Sequence, residues 1–497
     1  MDFMSSMQNA ANKTKILTDN GATAYATTGK ALLDFNFKLS AYRHADIQDI
    51  MDDFARVYYE DPLLAVKYLF WVGDVREGAG ERNAFRSALM WLAEYKPHIC
   101  RAVIKLVPEY NRWDSLLPLL DTQVCEDVCK LLKEQIVDDI IAMENHGNVS
   151  LCAKWMPSEN ASSSKTKRYA RTLITAFGWT ATRYRKNLSA LRKYLDVVEV
   201  KMSAKQWGDI NYERVPSKAN LIYGGAFMRN DTERRCKYLS SLVNGEVKIN
   251  AGVLQPHEIV SKYGIWRVGD YDETLEQLWT NLPQVNLHNV LVVRDGSGSM
   301  TTRISGNTTC LDVSTALAIY MADHNSGDWK GKFVTFSSSP AVVDLSNCKT
   351  LRDKLERTSL ENDCSNTNIY KTMRLVLDTA RQNHMSQEDM PELICILSDM
   401  EFDPHWFNFK KSLFEMITDE FEAAGYKMPR ICFWNINANG AKVPLQQNDF
   451  GLILCSGFST QIMKMFMSGE LDPYKVLLDT LSTDRYAAVE RAVAEVL

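Results

Sequence analysis

Apolar residues recur at three- and four-residue spacing through most of the stretch from Ala31 to Gly264. Examples are Ile47-Ile50-Met51-Phe54-Val57-Tyr58, Phe85-Leu89-Met90-Leu92-Ala93 and Val103-Ile104-Val107. Such spacing places the apolar side chains on one face of a helix. Breaks at Pro62, Pro97 and Pro108 keep the connections short, so the region reads as an α-helical array. No strict sequence period is visible, and a solenoid of helix pairs here would be a degenerate one. Residues 1–30 are polar and small without clear period, which predicts an extended N-terminal arm.

The pattern changes after Leu282-Pro283. The run Val290-Leu291-Val292-Val293 is β-branched and apolar, as a buried parallel strand is. A helical pattern at Leu311–Tyr320 follows it, then strand-like runs at 332–337 and 341–345. Helical patterns at 369–382 and 410–423 are each followed by an apolar run, 393–397 and 431–434, and one more run at 451–454 precedes a helix-like 461–467. Strands alternating with helices imply a mostly parallel sheet covered on both faces. The expected fold class is therefore multidomain. It comprises a 1–30 arm, a 31–283 α-helical repeat array and a 284–497 α/β (Rossmann-like) domain.

Composition narrows the class without changing it. At 497 residues, 45% hydrophobic and 24% charged, the chain is long enough for two or three folded domains. No apolar run approaches the ~20 residues of a spanning helix, and the first residues lack the layout of a signal peptide, so a cytoplasmic location without membrane contact is expected. The 11 cysteines are spread widely, with no Cys-x-x-Cys pair, which predicts reduced thiols and no zinc. A formal charge of −5 argues against a coat of nucleic acid over the whole surface but not against a local basic patch.

The strand at 290–293 ends in Asp295-Gly296-Ser297-Gly298-Ser299. Asp295, Ser297 and Ser299 alternate, so an extended backbone aims their oxygens one way. A set of hard oxygens of mixed charge suits Mg²⁺ or Mn²⁺ and leaves a coordination position for an outside ligand. Read without its context, Gly-Ser-Gly-Ser is also a flexible linker. In context the segment resembles the metal-ion-dependent adhesion site of von Willebrand factor A domains. That family also needs a later threonine and a later strand-end aspartate, for which Thr367 and Asp399 stand in order. The resemblance implies Ser297, Ser299 and Thr367 as direct ligands, Asp295 and Asp399 holding metal-bound waters, and a protein partner that offers a carboxylate. Where the family often has a glycine after the aspartate, this chain has Ser398-Asp399-Met400-Glu401, and Glu401 stands where it can crowd the site.

Two connectors of the helical region stand out, Gly73–Arg82 and Pro108–Asp114. The first lacks a preceding strand and a Gly-Lys-Ser/Thr ending, so it is a helix-capping turn with local ion pairs rather than a phosphate loop. In the second, Trp113 is an anchor for helix packing. These blocks, Asp74–Arg82 and Arg112-Trp113-Asp114, together with Lys154-Trp155-Met156-Pro157, resemble the TROVE module of Ro autoantigen proteins. They resemble domain-of-unknown-function family 2828 still more, as do Asn211–Ala219 and Lys248–Ile259. The Ro resemblance implies a HEAT-like ring closed by the A domain, and RNA as ligand, in a ribonucleoprotein.

An independent reason to expect RNA lies between Glu159 and Asp196, a segment without one acidic residue. Lys165, Lys167, Arg168, Arg171, Arg183, Arg185 and Lys186 are its candidate phosphate contacts. Tyr169, Phe177, Trp179, Tyr184 and Tyr194 interleave with them as candidate stacking rings. Cations beside rings are what single-stranded RNA binding needs. The alternative is two helices with solvated basic faces and core aromatics. Three classes of function stand side by side: a scaffold binding single-stranded or small structured RNA, a metal-dependent protein-interaction module without RNA, and a metal-assisted phosphohydrolase. The last is disfavoured because the Asp295 loop has no second carboxylate and no paired histidine base, so no enzyme is expected.

Overall fold

A computed structural model describes residues 15–17, 23–25, 27–337, 340–361, 369–400, 413–436, 452–463 and 472–497. The chain divides into two compact units, each built from separate stretches. One is helical, Ile47–Val253 with Leu481–Leu497; the other is α/β, Met1–Asp46 with Leu254–Thr480.

In the helical unit, α1 (Ile47–Glu60) buries Ile50, Phe54, Val57 and Tyr58, the stripe its spacing predicts. Its successor α2 (Pro62–Gly73) starts at Asp61, whose carboxylate accepts the Leu64 amide at 2.9 Å, and Pro62 fits the first turn because no amide is needed there. Helix α3 (Arg82–Tyr95) packs on both. Further on, α4 (Cys125–Glu144) carries three helices against it: the short α5 (Cys152–Trp155), α6 (Ser164–Phe177) and α7 (Ala181–Tyr194). Then follow α8 (Val198–Ser203), α9 (Ser217–Asn230) and α10 (Thr232–Val243). Arg235 of α10 is fully buried among the rings of Tyr212, Phe227 and Tyr238, and donates to Asn220 Oδ1 at 3.0 Å.

The last residues of the chain complete this unit. Arg485 lies over the Tyr110 ring, 4.6 Å from its centroid, and donates to both carboxylate oxygens of Asp74, at 2.8 and 3.2 Å. Tyr486 stacks on Tyr110, and the helix Ala487–Ala494 packs against α2. Asp74 opens the turn after α2, and its carboxylate pairs with a residue 411 positions away.

The α/β unit holds a six-stranded sheet: β1 (Val290–Asp295), β2 (Lys332–Phe336), β3 (Val342–Asp344), β4 (Leu393–Ser398), β5 (Arg430–Asn435) and β6 (Leu452–Ser456). Their spatial order is β6-β5-β4-β1-β2-β3, parallel throughout except for the antiparallel edge strand β3. Helices α11 (Cys310–His324) and α12 (Ile369–Gln382) follow in the α/β alternation. From β1 the chain moves outward through β2 and β3, then returns to the other side of β1 to lay down β4. The crevice beyond the carboxyl ends of β1 and β4 is thus the switch point at which such sheets bind ligands.

Residues 31–46 and 254–283, expected in the helical array, belong to this α/β unit, whereas 481–497, expected in the α/β domain, belong to the helical one. The helix Ala31–Phe37 sends Leu33 and Phe37 into the cluster around Leu291, Ile394 and Phe433, and Phe37 O accepts from Asn435 Nδ2 at 3.1 Å. Helical spacing reveals an apolar face but not the surface that covers it. Within the N-terminal arm, Lys15–Leu17 and Thr23–Tyr25 pair as antiparallel strands.

Candidate metal centre and cation-bearing helices

Asp295 is the last residue of β1 and is fully buried. Its Oδ1 accepts the Ser297 amide at 2.8 Å and its Oδ2 accepts the Ser398 hydroxyl at 2.5 Å. Burial pushes this carboxyl up, while the bonds from Ser398 and Ser297 and the neighbouring Arg294 guanidinium pull it back. Ser297 is buried and Ser299 exposed, and their hydroxyl oxygens lie 3.0 Å apart. Asp399, also buried, directly follows β4, one residue beyond the serine that bonds Asp295. Asp295, Ser297 and Ser299 are therefore brought together, and Asp399 follows the strand beside them. Thr367 and Glu401 lie outside the described residues.

The donor set fits a small hard cation. Octahedral Mg²⁺ with oxygens at ~2.1 Å has adjacent ligands about 3 Å apart, the spacing of the two serine hydroxyls. Among the described residues no group of three or more His, Cys, Asp or Glu is placed to hold a metal, so an ion here depends on hydroxyls. Met400 occupies the left-handed region at φ 64°, a conformation that favours glycine. Its buried side chain joins the core and offsets that cost.

Two supporting residues escaped sequence reasoning. Ser398 looked like the end of an apolar run, and only the pairing of β4 with β1 puts its hydroxyl on Asp295. Arg294, a charge inside a buried strand, donates to Thr315 Oγ1 and to Glu361 O, both at 3.1 Å. A charged residue next to the aspartate was the available signal.

On the helical unit, α6 starts at Ser163, whose Oγ accepts from Thr166 N at 3.3 Å, and ends at Gly178 in the left-handed conformation. Thr180 caps α7 in the same way. Lys165, Arg168, Arg171, Arg183, Arg185 and Lys186 are exposed and Lys167 is half-buried. Of these seven only Arg168 has an ion-pair partner among the described residues, Asp121 at 2.8 Å. The rings behave otherwise. Tyr169, Phe177, Trp179 and Tyr184 are buried, and only Tyr194 is exposed. Four of the five expected stacking rings are thus core: Phe177 packs against Trp179 and Tyr184, while the Tyr169 and Tyr184 hydroxyls donate to Asp121 and to Pro157 O. Arg192 is structural as well, donating to Ala153 O at 2.9 Å and Met156 O at 2.8 Å.

Residues 18–109 and 168–285 match the family model described as domain of unknown function DUF2828, and 289–488 match that of DUF7788. The chain is thus similar to two families, each over part of its length. The first is as the sequence blocks suggested, although the blocks at 112–114 and 154–157 fall outside the match. The stretch that matches DUF7788 contains the whole oxygen cluster. The chain is 28% identical over 509 aligned positions to "Uncharacterized protein L728" of Acanthamoeba polyphaga mimivirus, covering 93% of this chain and 86% of that one. It is also similar to the crystal structure of the Ro (RSR) protein of Deinococcus radiodurans. That similarity has 14% identity and a TM-score of 0.48, and it spans 84% of this chain and 94% of the other. No helix among the described residues is long and apolar enough to cross a membrane.

Proposed function

We propose that this protein is a non-enzymatic RNA-binding scaffold whose α6 and α7 supply the RNA contacts. What carries this is the run of exposed cations on two helices, six of seven without an acidic partner among the described residues. Exposed cations elsewhere in the unit, such as Lys105, Lys205 and Arg229, are unpaired too among the described residues, so what sets α6 and α7 apart is that no acidic residue stands between Glu159 and Asp196 to offset theirs. An unpaired set repels itself unless a polyanion arrives. With four of the rings buried, the contacts are to phosphates rather than to bases, so binding is tolerant of sequence and steeply salt-dependent.

The test is anisotropy with a labelled oligouridylate on the wild type and on Lys165→Glu/Arg171→Glu/Lys186→Glu, three exposed positions whose reversal leaves the core intact. The variant is expected to bind at least ~100-fold more weakly and to lose about 2 from the slope of log affinity against log salt, since each phosphate contact contributes ~0.7 on a single strand. Equal affinities and slopes would remove RNA binding from these helices.

A second reading is favoured by the spacing of the serine hydroxyls beside buried Asp295. The stretch that matches DUF7788 takes Mg²⁺ or Mn²⁺, with Ser297, Ser299 and Thr367 as ligands, Asp295 and Asp399 behind bound water, and a partner's carboxylate completing the shell. Mg²⁺ at a hundred times its dissociation constant then stabilises the fold by about 2.7 kcal/mol. In a thermal-shift titration the gain is expected in the wild type and absent in Asp295→Asn and in the milder Ser299→Ala. A wild type indifferent to both cations, or a gain that survives both substitutions, rejects the site.

A further inference from the structure

Beside the cationic face lies a cleft of about 370 Å³, which falls in the size range of small-molecule sites. It is formed by the α5–α6 connector, the inner side of α7 and the start of α8. Arg185, Arg192 and Lys193 line it together with Glu159, and Leu188 and Val200 supply apolar wall. The Arg192 guanidinium is fixed, since Nε and Nη2 are spent on the carbonyls of Ala153 and Met156. Its Nη1 makes no hydrogen bond among the described residues and is not buried. Nor does Glu159 pair with any of the three cations, although all four share one cleft. A carboxylate and a cation group that stay apart in one cavity suit a ligand with a donor edge at one end and an anion at the other.

We propose that this cleft binds a guanosine 5′-phosphate unit. A carboxylate has two acceptor oxygens, and the guanine Watson–Crick edge presents two adjacent donors, N1–H and N2–H, so Glu159 can take both. Adenine and uracil do not offer that pair. The purine plane lies against Leu188 and Val200, and the phosphate meets Arg185, Lys193 and the pre-oriented Arg192. This deepens the RNA-binding reading and rests on it: along a bound strand, one nucleotide is read here while the exposed cations hold the backbone without regard to sequence.

The experiment is titration calorimetry on the full chain with 5′-GMP, 5′-AMP, guanosine and inorganic phosphate. GMP is expected to bind at least about tenfold more tightly than each of the other three. Glu159→Gln should abolish the preference over AMP while keeping the phosphate dependence, and Val200→Trp, which fills the cleft from an exposed position, should abolish binding. Equal heats for GMP and AMP, GMP binding that survives Val200→Trp, or no heat at millimolar GMP would each overturn the proposal. The oligouridylate assay contains no guanine, so failure of the cleft and failure of the phosphate-binding face are read separately.

Discussion

Replacing Arg485 by Met should destabilise the helical unit by about 3 kcal/mol, the low end of what removing one partner of a buried ion pair costs. Asp74 has no exposure at all, and Arg485 is its charged partner in the described fold. With the guanidinium gone, the carboxylate retains the Arg76 amide at 2.9 Å and the Tyr486 hydroxyl at 3.3 Å, which neutralise no charge. Those two bonds, and the partial exposure of Arg485, hold the loss to the low end. Methionine keeps the aliphatic stem but not the guanidinium that lies over Tyr110, so the effect combines the lost ion pair with the lost cation–π contact. Urea unfolding measures it. Asp74→Asn with Arg485→Met should lose clearly less than the two single changes summed, because the double variant buries no lone charge. A single variant within about 0.5 kcal/mol of wild type, the range of ordinary surface changes, would show the pair to be dispensable.

The second large effect is Gly78→Ala, a one-methyl change in the same turn. A Cβ built at Gly78 sits 2.0 Å from the Trp71 carbonyl oxygen and 3.0 Å from Asp74 Cβ. That carbonyl cannot retreat, because it accepts from the Asp74 amide at 3.2 Å and the Ala79 amide at 3.1 Å. The loop from α2 to α3 therefore has to open, and with it the seat of Asp74. A loss above about 4 kcal/mol is expected, or no soluble protein. Gly208→Ala is the control: nothing lies within 4 Å of its added methyl, and a change within about 0.5 kcal/mol is expected there. A Gly78→Ala melting temperature equal to that of wild type would contradict the packing of this turn.

The sheet was legible in the sequence because its strands are short, apolar and separated by helices, and Asp295 announced itself as the charge that ends such a run. The order of the strands was not legible, and with it went Ser398, whose role depends on which strand lies beside β1. Helices α6 and α7 were legible as helices, but their rings were not separable into stacking and core. Tyr169 and Tyr184 fall between cations along the chain yet are buried, and Tyr169 carries Lys165 and Arg168 over its ring, 5.6 and 5.4 Å from the centroid, instead of offering it to a base. Asp74 shows the limit of local reasoning most directly. Nothing in the turn distinguishes a carboxylate that pairs nearby from one whose partner is 411 residues off.

Because the helical unit closes with residues 481–497, it cannot be finished in the order in which it is translated. Residues 47–253 leave the ribosome first and must wait, with the Asp74 carboxylate lacking its guanidinium, while some 230 further residues of the other unit are made. A chain cut between Thr480 and Arg485 keeps residues 47–253 and the α/β unit but leaves the buried Asp74 carboxylate without the guanidinium that neutralises it.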